Sequence, residues 1–441
     1  MCRECILEPS GRVEVDQVRI EPAQDGESPR MNKSVRLPSQ VERLLARGVV
    51  ISSPHTVEID ESVVPERIAP GVRIHAGCRI TGADTSIGPG SEIGREAPVT
   101  IEACQLGHRV ELRGGYVSGA TFLDGANMGS GAHVRPGTLL EEEAGAAHTV
   151  GFKQTIFLSY VTAGSLINFC DALMAGGTSR KNHSEIGSSY IHFNFTPRQD
   201  KATPSLVGDV ARGVFLDQAP IFLGGQGGLV GPARVAYGTV IPAGTVWRDD
   251  ILEEGWIAAA PRAAAEARAF APGIYRAIRR VVVNNLLYIG NLWALREWYL
   301  RVRIGSMGGD PYREACRAGA LARIGEGLEE RVKRLGELAD KMKYSLRHAR
   351  TATGAELPDG VRQEQRALLE RWPEMKARLE TGPPEGGGVL QRDAFLEEWE
   401  GMDLSSGHCG AVGALSPRAR AEGSAWLKGI VEGAGALWTD H

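Results

Sequence analysis

The chain has 441 residues, with 50 Lys and Arg against 54 Asp and Glu, a formal net charge of −4. That balance excludes nucleic-acid binding by bulk charge, and no apolar run reaches the ~18 residues of a membrane span. Its 56 glycines, in a chain with only 6% aromatic residues, are roughly twice the usual ~7 per cent share and predict many tight corners between short strands.

Residues 1–47 form an N-terminal segment without the charged start and apolar core of a secretory signal. The seven cysteines are odd in number and mostly isolated, the pattern of reduced thiols in a cytoplasm. Cys2 and Cys5 make a lone C-x-x-C with no second pair, so a frayed terminus is expected there and no metal site.

Residues 48–250 repeat in steps of six. Apolar residues recur at Ile68, Ile74, Ile80, Ile87, Ile93, Val99, Leu106 and Leu112, then at Tyr116, Phe122, Met128, Val134 and Leu140. The pattern returns at Leu229, Val235, Ile241 and Trp247. Units such as IAPGVR, IHAGCR, IGPGSE and MGSGAH carry Gly at the fourth position and a small or β-branched fifth. A six-residue unit supplies one short strand and one corner, and three units make a triangular coil that stacks at ~4.8 Å. First and fifth residues then point inward. An antiparallel sandwich would alternate with period two instead. The predicted fold is mainly β, a left-handed parallel β-helix followed by an α-helical C-terminal domain.

These units resemble the hexapeptide-repeat family, and the left hand is taken from that resemblance, because crossovers are ordinarily right-handed. The resemblance also implies a homotrimer, since flat coil faces are buried against symmetry mates, and many members are acyltransferases.

Counting one coil of eighteen residues from Arg135 reaches Lys153, and a second count reaches Asp171. An Arg above a Lys repels it unless an anion lies against both, and phosphate or pyrophosphate suits that pair. The plain alternative is a solvated ladder neutralised by Asp171. From Arg135 to Lys201 the chain resembles the acetyltransferase half of the bifunctional enzyme that makes UDP-N-acetylglucosamine. The resemblance rests on Arg135-Pro-Gly, Lys153, GSLINFCDA at 164–172 and IGSSYIHFNF at 186–195. It implies a sugar-nucleotide or sugar-phosphate ligand, acetyl-CoA as acyl donor, and Arg135, Lys153, Asn168, Asn194, Phe195 and Lys201 as substrate-binding residues. Asp171 would orient a neighbour. Two departures stand out. Ser165 takes the place of the family's catalytic His, and a hydroxyl of ordinary pKa does not deprotonate a sugar amine. Asn168 and Phe195 replace tyrosines. His183, on the stretch KNHSE, is the candidate replacement base, ahead of His148 and His192.

The stretch AGGTSRK at 175–181 reads either as a phosphate-cradling loop or as part of an insertion at 174–185 projecting from the coil. A phosphate loop needs an open helix N-terminus after the first strand of a doubly wound domain, and nothing upstream supplies one. The insertion is therefore expected.

Residues 251–350 are helical and basic, with eighteen Lys and Arg against nine Asp and Glu from Pro261 to Arg350. One apolar stripe runs through Ile278, Val281, Asn285, Tyr288, Leu292, Leu295, Tyr299 and Val302, and Asn284 and Asn285 need partners if buried. Residues 351–441 hold a linker at 381–388 and small helices. The sequence thus predicts a transferase-like protein that binds a sugar phosphate or UDP-sugar, with acyl transfer to a UDP-amino-sugar as its candidate reaction. Two rival readings remain: a nucleotidyltransferase, which would need Mg²⁺, and a non-catalytic scaffold or sugar-nucleotide sensor.

Overall fold

The computed structural model describes residues 36–259, 270–383 and 388–438; Cys2 and Cys5 lie outside them. Within the described residues the chain from Val50 to Trp247 is a parallel β-solenoid of about 11 turns, followed by a helical region. Helices make up about 39% of the protein, so the mainly-β expectation understated them.

One face of the solenoid is a ten-stranded parallel sheet running from Val50–Ile51 to Val240–Ile241. The other two faces merge into one sheet of sixteen strands. They join because Gly151–Phe157 and Asn168–Met174 run unbroken across the corner between them. The inward positions follow the hexad: Ile68, Ile80, Ile87, Ile93, Phe122, Val134 and Leu140 are fully buried. So are the small fifth residues Val72, Cys78 and Ser91. The buried Ser91 hydroxyl donates to the Gly107 carbonyl and accepts the Val110 N–H, which meets the requirement for buried polar groups. Tyr116 corrects the hexad reading. Val117 takes the inward place, in register with Ile101 and Val134, and Tyr116 stacks outward on His133.

Short helix α1 (Ser39–Ala46) caps the first coil with Val41 and Leu44, while Gln40 donates to the carbonyls of Glu61 and Val63. A second short helix, α2 (Val210–Gly213), interrupts the late coils. Then come α3 (Arg279–Arg301), α4 (Arg303–Met307), α5 (Pro311–Thr353), α6 (Asp359–Thr381), α7 (Val389–Glu400), α8 (Gly407–Gly413) and α9 (Pro417–Gly435). Among the described residues no helix is long and apolar enough to cross a membrane.

Helix α5, 43 residues long, starts where Asp310 accepts from the N–H groups of Tyr312 and Arg313 ahead of Pro311. It stops at Gly354, whose φ of 73° is left-handed. It lies on the third face of the solenoid, where Arg313 pairs with Asp124 at 2.8 Å and the Cys316 thiol reaches the Phe122 carbonyl. The stripe read on α3 is buried except at Val281. The two asparagines find partners on the solenoid: Asn284 donates to Asp250 and Asn285 to the Ala202 carbonyl. Arg303, from the region read as helical and basic, is buried against Glu141 and Glu142, and Tyr299 donates to Glu141. Burial opposes ionisation of Glu142, yet the Arg303 charge and hydrogen bond outweigh it and hold its carboxyl at about 2.

Two glycines of α5 report how closely it approaches the sheet. A Cβ at Gly319 would collide with the side chains of Gln105 and Thr121, whereas one at Gly325 would meet nothing. Gly319→Ala is expected to lower stability by about 1–3 kcal/mol through overpacking. Gly325→Ala is expected to raise it by roughly 0.5–1 kcal/mol by restricting the unfolded chain. Urea unfolding of both variants checks the pair, and equal effects would contradict this docking.

Candidate functional site

Strand pairing sets the site. His133 pairs with Gly151 and Val134 with Phe152, a step of eighteen residues, so Arg135 follows directly above Lys153. The next step is shorter: Gly151 pairs with Asn168 and Lys153 with Cys170, seventeen residues on. The expected column of Arg135, Lys153 and Asp171 is therefore corrected to Arg135, Lys153 and Cys170. Asp171 falls on the corner instead, with φ of 58°, below Gln154 at 51° and Gly137 at 82°. This left-handed corner admits Gly freely and Asp and Asn more readily than other residues.

A cavity of about 320 Å³ opens beside this corner, lined by Arg135, Lys153, Asn168, Cys170, Asp171, Asn194, Phe195, Lys201 and Glu330. Seven of these residues were anticipated from the sequence. Cys170 and Glu330 were not, since the first depends on the short coil and the second arrives from α5.

The cavity acids are already paired. Asp171 meets Arg331 Nη2 at 2.7 Å and accepts from the Asn194 amide. Glu330 accepts from Arg334 Nε at 2.8 Å. The cavity cations are not. Among the described residues neither the Lys153 nor the Lys201 ammonium has an ion pair or hydrogen bond, and Arg135 has no carboxylate partner. Arg135 Nη2 donates to Cys170 Sγ at 3.5 Å, and its buried Nε has no acceptor. Burial pushes the Cys170 thiol up, partly offset by Arg135, so it stays protonated and donates to Asn168 Oδ1. Asn168 keeps its NH₂ group for another acceptor. Asn194, with its NH₂ turned to Asp171, keeps Oδ1 for another donor. The arrangement can hold an anion beside a group that both donates and accepts.

The remaining candidates lie elsewhere. Ser165 sits at the preceding corner, where its N–H donates to Ser188 Oγ, and it does not line the cavity. His183 belongs to an antiparallel hairpin of Gly177–Ser179 and Asn182–His183, its Nδ1 bonded to the Arg180 carbonyl at 2.9 Å. The hairpin tip folds back onto the coils, where Arg180 donates to the Glu143 carbonyl and Thr162 Oγ1. AGGTSRK therefore forms a hairpin strand and turn that rests on the coils rather than projecting from them, and His183 on that hairpin does not line the cavity. His148 is exposed beside Thr149. His192 is internal. Its Nδ1 faces the Cys170 carbonyl, which only accepts, so Nδ1 carries the proton and Nε2 accepts from Ser205 Oγ at 2.7 Å. Among the described residues no histidine lines the cavity.

The parallel solenoid and its matches to known proteins fit a hexapeptide-repeat, left-handed β-helix. The chain is similar to the bifunctional protein GlmU of Pelobacter propionicus, 31% identical over 209 residues that cover 47% of this chain and 40% of that protein. The protein of the same name from Thermotoga petrophila is 27% identical over 232 residues, 49% of this chain and 46% of the relative. That of Nitratidesulfovibrio vulgaris is 29% identical over 212 residues, 47% and 40%. These matches bear out the resemblance read from the sequence. The chain spans less than half the length of these curated relatives, and no family model matches it.

Burial pushes the His192 imidazole down to about 4, against the opposing effect of its hydrogen bond to the Cys170 carbonyl. The unfolded chain binds this proton near pH 6.5, so the contribution is complete above that pH and is lost as pH falls toward 4. The loss amounts to roughly 3 kcal/mol. Imidazole NMR resonances followed from pH 7 to 4 should show His192 neutral at pH 5. Titration near 6.5 would contradict its internal position.

Proposed function

We propose that the cavity binds the phosphate of a sugar phosphate or UDP-sugar, and that the chain is a transferase-like protein of the hexapeptide-repeat type. The observation that carries this reading is the charge arrangement. Among the described residues Arg135, Lys153 and Lys201 line one cavity without carboxylate partners, while both cavity acids are held by arginines of α5. Arg135 suits a forked contact to a phosphate and the lysines act as point charges. Asn168 and Asn194 would bond the sugar hydroxyls or an acyl group, with Phe195 as an apolar wall.

Acyl transfer from acetyl-CoA to a UDP-amino-sugar or amino-sugar phosphate is the reaction the resemblance brings with it. It requires a base for the attacking amine. Ser165 replaces the family's histidine, and among the described residues no histidine lines the cavity. Binding is therefore supported better than turnover, which favours a sugar-nucleotide sensor or scaffold as the second reading. Nucleotidyl transfer with Mg²⁺ loses its only support, since AGGTSRK forms a hairpin strand and turn. A homotrimer remains part of the proposal on the strength of the resemblance, with light scattering at micromolar concentration as its check.

Calorimetry with inorganic phosphate, glucosamine 1-phosphate and UDP-N-acetylglucosamine tests the binding reading. Arg135→Ala and Lys153→Ala should each weaken binding by about 1.5–3 kcal/mol with the unliganded fold retained. Variants that bind all three like the parent would sink it. Acetylation of glucosamine 1-phosphate should run roughly 10²–10⁴-fold below a histidine-assisted rate. If the parent turns over at ordinary enzyme speed, a base outside the cavity acts, and His183→Ala must then abolish the activity.

A further inference from the structure

One guanidinium of α5 reaches two cavity residues that come from different coils. Arg331, its side chain 2% exposed, places Nη2 on Asp171 Oδ1 at 2.7 Å and donates from Nη1 to the Lys201 carbonyl at 3.3 Å. Its contact to Lys201 is through the backbone carbonyl and not the ammonium, and it does not itself line the cavity. Its effect runs through Asp171. That carboxylate sits on the left-handed corner beside Cys170, in the same cavity as Lys153 and Lys201. A buried carboxylate without a partner carries a large desolvation penalty, and the nearest relief is an ion pair with an unpaired lysine. Such a pair would neutralise the cavity from within and leave an incoming anion no cation to meet. While Arg331 holds Oδ1, the other carboxylate oxygen accepts the Asn194 amide, and neither oxygen turns to a lysine.

We propose that Arg331 is a positioning residue of the anion site: it withholds Asp171 from Lys153 and Lys201, so that the cations stay open for a ligand. The neighbouring Arg334 treats Glu330 in the same way, at 2.8 Å. The helical region is then part of the site, although every cationic contact to the ligand comes from the solenoid. The proposal rests on the anion-binding reading above.

The test uses the full chain, inorganic phosphate as probe, calorimetry at fixed ionic strength, and circular dichroism as a check of fold. Arg331→Met should weaken phosphate binding by about tenfold or more, the scale of a charged hydrogen-bond partner. Removing the competing charge as well should restore it. Asp171→Asn combined with Arg331→Met keeps an acceptor for Asn194 and a residue type that suits the corner. Its affinity should return to within roughly threefold of the parent, the margin within which unperturbed sites agree. Arg331→Lys, which keeps a cation for Asp171, should also stay within roughly threefold. If Arg331→Met fails to fold, the double variant and the lysine variant carry the test, and weak binding by both overturns the proposal. A folded Arg331→Met that binds like the parent overturns it and leaves the anion reading standing. A double variant as weak as the single shows a purely structural role and also overturns it. A parent that does not bind phosphate removes the anion reading and this proposal together.

Discussion

Two cations stacked by strand register, Arg135 directly above Lys153, are the constraint around which this molecule is arranged. Coils of a parallel solenoid repeat at ~4.8 Å. At an effective dielectric near 20, unit charges that close repel by about 3 kcal/mol. Long side chains relieve part of this by spreading apart, but a corner residue that could neutralise them is already committed to α5. Lys201 adds a third positive charge to the same cavity. The solenoid thus carries an unfavourable electrostatic arrangement that a bound anion would reverse, and the arrangement persists because register leaves no alternative placement.

The helical region has a double role in this account. It covers the third face of the solenoid, with a glycine close against the sheet and asparagines bonded to the Ala202 carbonyl and to Asp250. It also brings arginines to solenoid carboxylates: buried Arg303 to Glu141 and Glu142, buried Arg331 to Asp171, and the partly exposed Arg313 to Asp124. Buried ion pairs of this kind add little net stability, because desolvation offsets attraction, but losing one partner costs about 3–5 kcal/mol. Their consequence is registry. A shift of α5 by one turn would strand Arg331 and Asp171 together, so the helix has one favourable seat, and that seat fixes Glu330 and Arg331 at the cavity.

Most of the solenoid was legible in the sequence because a six-residue period has few physical realisations. Ile68 through Leu140 fell inward as the period demands, and Tyr116 failed because the short step before it shifts the inward place to Val117. The cation pair was legible for the same reason, since its step is a full eighteen residues. Asp171 was misplaced by one position because the following coil has seventeen, and composition alone does not reveal a shortened coil. Arg331 and Glu330 lay beyond reach in another way. They stand 159 and 160 positions from the corner they serve, on a helix that nothing in the sequence ties to that corner. His183 looked suited to catalysis on its loop, and only the structure shows that it does not line the cavity.

A crystal of the full chain soaked in phosphate offers the most direct measurement of the central claim. The account predicts tetrahedral density in the cavity, within hydrogen-bonding reach of the Arg135 guanidinium and the Lys153 ammonium, with Asp171 still on Arg331. An empty cavity at saturating phosphate, or Asp171 turned onto Lys153 or Lys201, would contradict it.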